Sequence, residues 1–278
     1  MLLPSDFFEL DGYEHKGLFA ADQPVWTVLD RLKGYMESLF QDPWPLKGFE
    51  GMVENSIVIV DGAVRHDLYV RSAGKGSVRA FDGDNIVQNA AIIMQGAYLY
   101  DDRVIIGPGT VVEPGALIKG PTVVGSDTEV RQGAYMRGDC LVGNRCVVGH
   151  TTEIKSSVML DGAKAGHFAY IGDSILGRDV NLGAGTKLAN LKMIPGSIFI
   201  RDSEGNFHKT GRRKIGAILG DRTETGCNSV TSPGTLMEPG SVVFPAISVA
   251  GGYYKRGSCV MPRRGSIDIR RNIFGEER

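Results

Sequence analysis

The sequence predicts an all-β protein, a parallel β-helix with a small N-terminal helical/β cap and a C-terminal tail. Three observations carry that expectation. Glycine is abundant, 38 of 278 residues, while aromatic residues make up only 8%, a mix that disfavours a helical bundle and suits many tight turns. Every sixth residue from Ile106 is aliphatic, through Val112, Ile118, Val124, Val130, Met136, Val142, Val148 and Ile154 to Leu160. Four places after each stands a small or apolar residue, Thr110, Ala116, Thr122, Thr128, Ala134, Cys140, Cys146, Thr152 and Val158, until Lys164 breaks the series. One aliphatic and one small position per hexad is the signature of a β-helix. The aliphatic side chain fills the interior, the small one lets the corner turn, and three hexads close a coil of about 18 residues.

Residues 1–72 form the expected cap. Asp22 is placed to cap a helix entered through Pro24. Trp26, Leu29, Leu32, Met36, Leu39 and Phe40 then recur at helical spacing, and Pro43 and Pro45 end the element. Its apolar face, with Trp26 and Trp44, is expected to pack over the end of the next domain. Around Asp61-Gly62 the segments SIVIV and DLYV read as short strands joined by a tight turn. Residues 73–262 form the β-helix. The hexad frame resumes at Leu219 and runs through Thr225, Thr231, Met237 and Val243 to Val249. An insertion, 191–214, interrupts it and ends in the basic cluster Lys209, Arg212, Arg213 and Lys214. For a charge run a solvated loop is the plainer reading, although long loops in compact folds are often functional. Residues 263–278 are the tail, a basic arm suited to packing on a neighbouring subunit.

The charges balance, 31 basic against 32 acidic, so neither nucleic acid nor an anionic membrane is an expected partner. No apolar window approaches the roughly 20 residues of a membrane span, and the N-terminus MLLPSDFFELDG shows no signal-peptide pattern. Cys140, Cys146, Cys227 and Cys259 form no CxxC pair, so reduced thiols in a cytoplasmic protein are expected. The first two fall at small inward positions, where free cysteine serves as a small hydrophobe. No metal is expected, because no third histidine completes a ligand set with His150 and His167.

The frame is irregular within Lys164–Asn190, with two shortened steps placed between Leu160 and Leu176, around His167 and Tyr170. A repetitive scaffold has no packing need for a histidine, a tyrosine and an asparagine (Asn181) here, so the stretch reads as an active site. Arg137 and Lys155 are eighteen residues apart and each follows an inward aliphatic. They should stack in successive coils about 4.8 Å apart, where two cations repel unless an anion relieves them. A bound phosphate is the functional reading of that pair, and relief by Glu153 the structural one.

The run VGHTTEIKSSVMLDGAKAGHFAYIGDSILGRDVNLGAGT resembles the acetyltransferase domain of the bifunctional glucosamine-1-phosphate acetyltransferase/N-acetylglucosamine-1-phosphate uridylyltransferase. It resembles still more the C-terminal domains of archaeal-type sugar-1-phosphate nucleotidyltransferases, which share a segment like TGRRKIGAILGDRTETG. The resemblance spans roughly 94–262. It implies a left-handed, hexapeptide-repeat β-helix, a homotrimer and sites between subunits. It also implies that His167 is the catalytic base, that Arg137, Lys155, Tyr170 and Asn181 bind the sugar phosphate, and that Ala184 and Asn190 contact acetyl-CoA. The sequence departs from the bifunctional pattern after GAGT, where Lys192 or a lysine of the 209–214 cluster stands in for a substrate lysine. Cys227 replaces a coenzyme-contacting serine. No nucleotidyltransferase domain precedes the helix, so the chain is not expected to make a nucleotide-sugar.

The expected activity is therefore acetyl transfer from acetyl-CoA to the amine of an amino-sugar 1-phosphate, with backbone N–H groups of Gly183–Gly185 offered to the thioester oxyanion. The alternatives are a non-catalytic sugar-phosphate sensor or regulatory subunit of a separate nucleotidyltransferase, and an acyltransferase acting on a sugar nucleotide or with a longer acyl chain.

Overall fold

The computed structural model describes residues 2–74, 77–202 and 204–262, so the expected tail 263–278 lies outside the described residues. Among the described residues, three long ladders of short strands form the body of the molecule, with eleven, nine and eight strands. In chain order the coil opens on Ala91–Ile93 (first face), passes to Tyr98–Leu99 (second face) and then to Val104–Ile106 (third face). Each strand then pairs in parallel with the strand one coil later, as Val111 with Glu129, Leu117 with Tyr135 and Thr122 with Cys140. The expected parallel β-helix of the left-handed hexapeptide-repeat kind is thus the fold of this chain. Its interior is the predicted aliphatic series, with Val112, Ile118, Val124, Val130, Met136, Val142, Val148 and Ile154 all fully buried.

The small positions do more than make room. Thr110 donates its hydroxyl to the Gly125 carbonyl at 2.6 Å and Thr128 to that of Gly143 at 2.9 Å, each one coil on. Cys146 gives its thiol to the Leu160 carbonyl at 3.2 Å in the same manner. A buried donor without a partner would cost about 1–3 kcal/mol, so the hydroxyls and thiol at these three positions are accommodated by the carbonyls of the next coil. Burial without a cationic neighbour pushes the thiols of Cys140 and Cys146 up to about 12, as expected of structural cysteines.

Of the two shortened steps, Ile171 to Leu176 falls where the sequence suggests and the other falls earlier, at Ile154 to Met159 rather than after Leu160. Val142 pairs with Met159, not with Leu160, and Val158 with Ile175. The inward series therefore runs Val148, Ile154, Met159, Ala165, Ile171, Leu176, Leu182, Leu188. Its two five-residue steps, Ile154 to Met159 and Ile171 to Leu176, turn the same corner, from second face to third, in successive coils. That corner is made by a single left-handed residue, Ser156 (φ 44°) and then Asp173 (φ 46°), where the coil before uses Gly138 and Asp139. The shift also moves Ala163 into the small position in place of Lys164, and Leu160 points outward.

The cap differs from expectation in its placement. The helix Val28–Ser38 begins through a 3-10 turn, Val25–Thr27, entered from Pro24, and Asp22 does not cap it. Its buried Val28, Leu29, Leu32 and Met36 share one apolar cluster with Val123, Leu141, Val158, Leu160, Ile175, Ile218 and Leu236, which point out from the third face. The helix thus lies along the flank of the coil rather than over its end. Each such side chain contributes on the order of 1.5–3 kcal/mol on burial. The N-terminal end is closed instead by Leu46, Val53, Ile57 and Ile59, which join the interior cluster. There Ile57–Val60 pairs antiparallel with Ala91–Ile93, and turns through Asp61 (φ 49°) and Gly62 (φ 75°) into Ala63–Arg65. The strands Tyr69–Gly74, Ser77–Asp82 and Asn85–Val87 form a separate antiparallel meander.

Nor is the 191–214 insertion a solvated loop. Phe199–Arg201 pairs with Phe207–Lys209 as a hairpin. Ile198 and Ile200 are buried in the same cluster as the cap helix. Beyond Gly251 the chain continues as coil strands, Gly252–Tyr254 and Cys259–Val260. No helix among the described residues is long and apolar enough to cross a membrane.

Candidate functional site

The corner between first and second faces recurs with one backbone rule. Its turning residue is left-handed in every coil from Gly115 on, through Gly133, Thr151, Phe168, Gly185, Asn228 and Ala246. Just before it stands a column of residues whose carbonyls accept from the next coil. His150 accepts from Phe168 N–H, His167 from Gly185 N–H, Ala184 from Asn228 N–H and Cys227 from Ala246 N–H, at 2.8–2.9 Å. The seventeen-residue pairing of His150 with His167 and of Lys164 with Asn181 sets this column. Three of the expected site residues, His167, Ala184 and Cys227, therefore share one edge of the prism, with His167 and Cys227 exposed.

Phe168 beside them was not anticipated. A left-handed conformation (φ 53°) costs an ordinary residue roughly 1–2 kcal/mol, yet here a bulky aromatic adopts it and stays 54% exposed. It packs edge-on against His150, ring centroids 5.3 Å apart, and lies 6.3 Å from the His167 ring. Its sequence signal is its place one residue after His167, where neighbouring coils carry glycine or a small polar residue.

The second face carries the charged members. Arg137 follows Met136 and Lys155 follows Ile154, and Met136 and Ile154 are partners in adjacent parallel strands, so the register puts the two cations in successive coils as the spacing predicts. Each already has a carboxylate. Arg137 bonds Glu153 at 2.6 Å, which raises its pKa further, and Lys155 bonds Asp173 at 3.3 Å. The first pair is largely exposed and the second largely buried. Tyr170 lies in register with Glu153. Partial burial, then the charges of Glu153 and Asp173, raise its pKa, so it is a neutral hydroxyl at physiological pH. Its OH is 3.4 Å from Asn190 Oδ1. Gly172 makes this possible, because a Cβ there would lie 2.6 Å from the Tyr170 hydroxyl and 2.7 Å from Asn190 Nδ2.

Asp173 is the residue that the spacing missed. It is 5% exposed and is held by Asn190 Nδ2 at 2.5 Å, Lys155 Nζ at 3.3 Å and Arg212 Nη2 at 3.7 Å. Asn190 is thereby turned into the corner between second and third faces, apart from Ala184 and Cys227 on the other edge. Asn181 stands on the first face, paired with Lys164 and Glu224. Lys192 is exposed. Of the backbone donors considered for an oxyanion, Gly183 N–H bonds Thr225 O at 2.8 Å and Gly185 N–H bonds His167 O at 2.9 Å. Both serve the ladder between coils. Among the described residues no such bond engages the Ala184 N–H.

The arrangement is a strip one short strand wide, about 10 Å for three residues. A histidine and the Ala184–Cys227 column line one edge, and a lysine and a buried acid line the other. Among the described residues no three His, Cys, Asp or Glu side chains group to hold a metal ion.

The chain is similar to several known proteins. The bifunctional sugar-1-phosphate nucleotidylyltransferase/acetyltransferase of Sulfurisphaera tokodaii is 36% identical over 102 residues, 37% of this chain and 25% of that protein. The bifunctional protein GlmU of Methanococcus vannielii is 35% identical over 34% of this chain and 23% of its own length. YaiX of Escherichia coli K12, described as a putative uncharacterized acetyltransferase, is 37% identical over 53% of this chain and 64% of its own. The chain thus spans about a quarter of the two bifunctional relatives. A hexapeptide transferase family protein from Anaplasma phagocytophilum aligns over 60% of this chain and 75% of its own, at 12% identity and a TM-score of 0.16, too low to carry an argument. Residues 118–264, just over half of the sequence, match the family described as the GMPPB C-terminal domain, and to that family this chain belongs.

Proposed function

We propose that the protein is a CoA-dependent N-acetyltransferase that moves acetyl from acetyl-CoA to the amine of an amino-sugar 1-phosphate such as glucosamine 1-phosphate. The observation that carries this reading is the shared edge of His167, Ala184 and Cys227, running beside a face on which Arg137, Lys155 and Tyr170 are gathered. The relatives named as acetyltransferases support the reaction class, and the resemblance of the KAGH…GAGT run supports the roles.

In this reading His167 takes a proton from the acceptor's ammonium, freeing the lone pair to attack the thioester carbon. Histidine is the side chain most often used to exchange a proton with a reacting group near neutral pH. The new amide bond forms as the carbon–sulfur bond breaks, and coenzyme A leaves as the thiolate, to be protonated. Ala184 N–H is the backbone donor best placed for the oxyanion, and Cys227 lines the coenzyme's path along the edge. Arg137 grips the phosphate by exchanging Glu153 for it. An exposed pair of that kind is worth at most about 1 kcal/mol, whereas arginine offers phosphate a bidentate fork. Lys155, anchored by Asp173, adds a fixed point charge, and the neutral Tyr170 hydroxyl orients the sugar. Asn181 on the first face reaches the ligand from another copy in a homotrimer, the assembly that the resemblance implies.

A second reading, a sugar-phosphate sensor or a subunit for a separate nucleotidyltransferase, draws support from the carboxylates already seated on both cations. Incubation with acetyl-CoA and a panel of amino-sugar 1-phosphates, sugar nucleotides and longer acyl-CoAs separates these. Thiol release with an amino-sugar 1-phosphate is expected. Release only with a sugar nucleotide or a longer acyl donor would redirect the substrate. Binding of a sugar phosphate without release would favour the sensor.

A further inference from the structure

Three irregularities of this chain meet at one point, the corner between second and third faces. Both five-residue steps turn there, at Ser156 and Asp173, and the 191–214 insertion leaves from and returns to the same corner, its ends joined by a bridge between Leu191 and Lys214. The insertion sends Arg212 back into the corner. One end of its guanidinium faces Asp173 at 3.7 Å and the other bonds Asp30 at 2.5 Å. Asp30 belongs to the cap helix Val28–Ser38. A continuous chain of opposite charges therefore runs Asp30, Arg212, Asp173, Lys155, from the N-terminal cap to the face carrying Arg137.

Resting on the function proposed above, we propose that Arg212 is a positioning residue for the acceptor site, itself held in place by Asp30. Asp173 is buried and shared by two cations and Asn190, so its position sets that of Lys155 and, through Asn190, that of the Tyr170 hydroxyl. Arg212 supplies the second cation that keeps this carboxylate at the corner rather than collapsed onto Lys155. An unshared Asp173 would neutralise Lys155 outright and hold it away from an incoming phosphate. Of the neighbouring charged groups, Glu153 is taken by Arg137, and Asp139, at the same corner one coil earlier, is partly buried and also feels the charge of Lys155. Lys209, Arg213 and Lys214 of the same cluster are exposed, and only Arg212 turns inward. The hairpin and the cap helix thereby become parts of the acceptor site, although neither belongs to the repeat.

The test uses the full chain as wild type, Arg212→Gln, Arg212→Lys, Asp30→Asn and the double variant Asp30→Asn/Arg212→Gln. Steady-state kinetics varies glucosamine 1-phosphate and acetyl-CoA separately, and calorimetry measures glucosamine 1-phosphate binding without the coenzyme. Arg212→Gln is expected to raise the acceptor KM and Kd about tenfold, the scale of one charge-assisted interaction, with the acetyl-CoA KM unmoved. Asp30→Asn should act in the same direction more weakly, Arg212→Lys should recover part of the loss, and the double variant should be no worse than Arg212→Gln alone. Equal rises for both substrates, strictly additive losses, or an unchanged acceptor Kd beside a lowered melting temperature would each overturn the proposal and leave Arg212 a structural staple. A wild type that neither acetylates nor binds the acceptor overturns the proposed function itself, and this inference with it.

Discussion

Glu153 and Asp173 decide what the stacked cations can do. The stacking of Arg137 on Lys155 was legible from eighteen-residue arithmetic alone, and so was Glu153 as the acid that could relieve it. Asp173 was not: it follows Lys155 by eighteen residues and precedes Asn190 by seventeen, but the shortened step puts it in the turn rather than on the face, and Arg212, near the end of the insertion, lies beyond the reach of any repeat. The two carboxylates differ in kind. Removing one partner of a buried pair leaves an uncompensated charge and costs about 3–5 kcal/mol, so Asp173 is fixed. Glu153 is exposed and exchangeable. Replacing Glu153 by Gln should therefore tighten glucosamine 1-phosphate binding by about two- to fivefold, the worth of one surface pair no longer competing with phosphate. Calorimetry reads this directly, and weaker binding would mean that Glu153 orients Arg137 rather than competing for it.

At the scale of elements, the repeat was readable wherever the coil is closed by its own residues. Ten aliphatic positions were expected to point inward, and nine do; the tenth, Leu160, points outward because the corner at Ser156 is one residue short. Periodicity places such a slip only after the fact, since Met159 and Leu160 are both apolar and either fits the frame. The helix of residues 28–38 was legible from its 3.6-residue pattern, but its docking partner was not. The third face offers Val123, Leu141, Val158 and Ile175 outward between inward residues, a double-sided apolar strand pattern of which the hexad frame reports only the inward half. The cap's attachment has a consequence for pH. His15, 8% exposed, bonds Tyr35 of the helix through Nδ1 at 2.9 Å, with Tyr13 edge-on to its ring. Burial lowers its pKa, against the smaller opposing pull of Glu14 and Asp161. The folded ring thus holds its proton less tightly than the unfolded chain does. The stability it contributes is complete above the ordinary value near 6.5 and declines as pH falls below it. Thermal melts at about pH 7.5 and about pH 5.5 should show a lower midpoint in acid, and His15→Gln should narrow the gap. An unchanged gap would place the acid sensitivity in another group.

The whole molecule is a stack whose coils touch too closely for change at certain points. A Cβ at Gly149 would sit 1.9 Å from the Gly166 carbonyl oxygen, so the two histidine-bearing coils are locked together just ahead of His150 and His167. That rigidity is what lets residues from four successive coils form one edge without any local machinery to aim them. Identity of fold follows from the repeat, while the proposed chemistry rests on His167, which stands exposed at the end of its strand, beside the face proposed to take the acceptor. The most direct measurement compares wild type with His167→Ala in acetyl transfer to glucosamine 1-phosphate, alongside calorimetric acceptor binding. A fall in kcat of about 10²–10⁴ with the acceptor Kd essentially unchanged is the result expected of a general base. Turnover near the wild-type rate would contradict the assignment of His167.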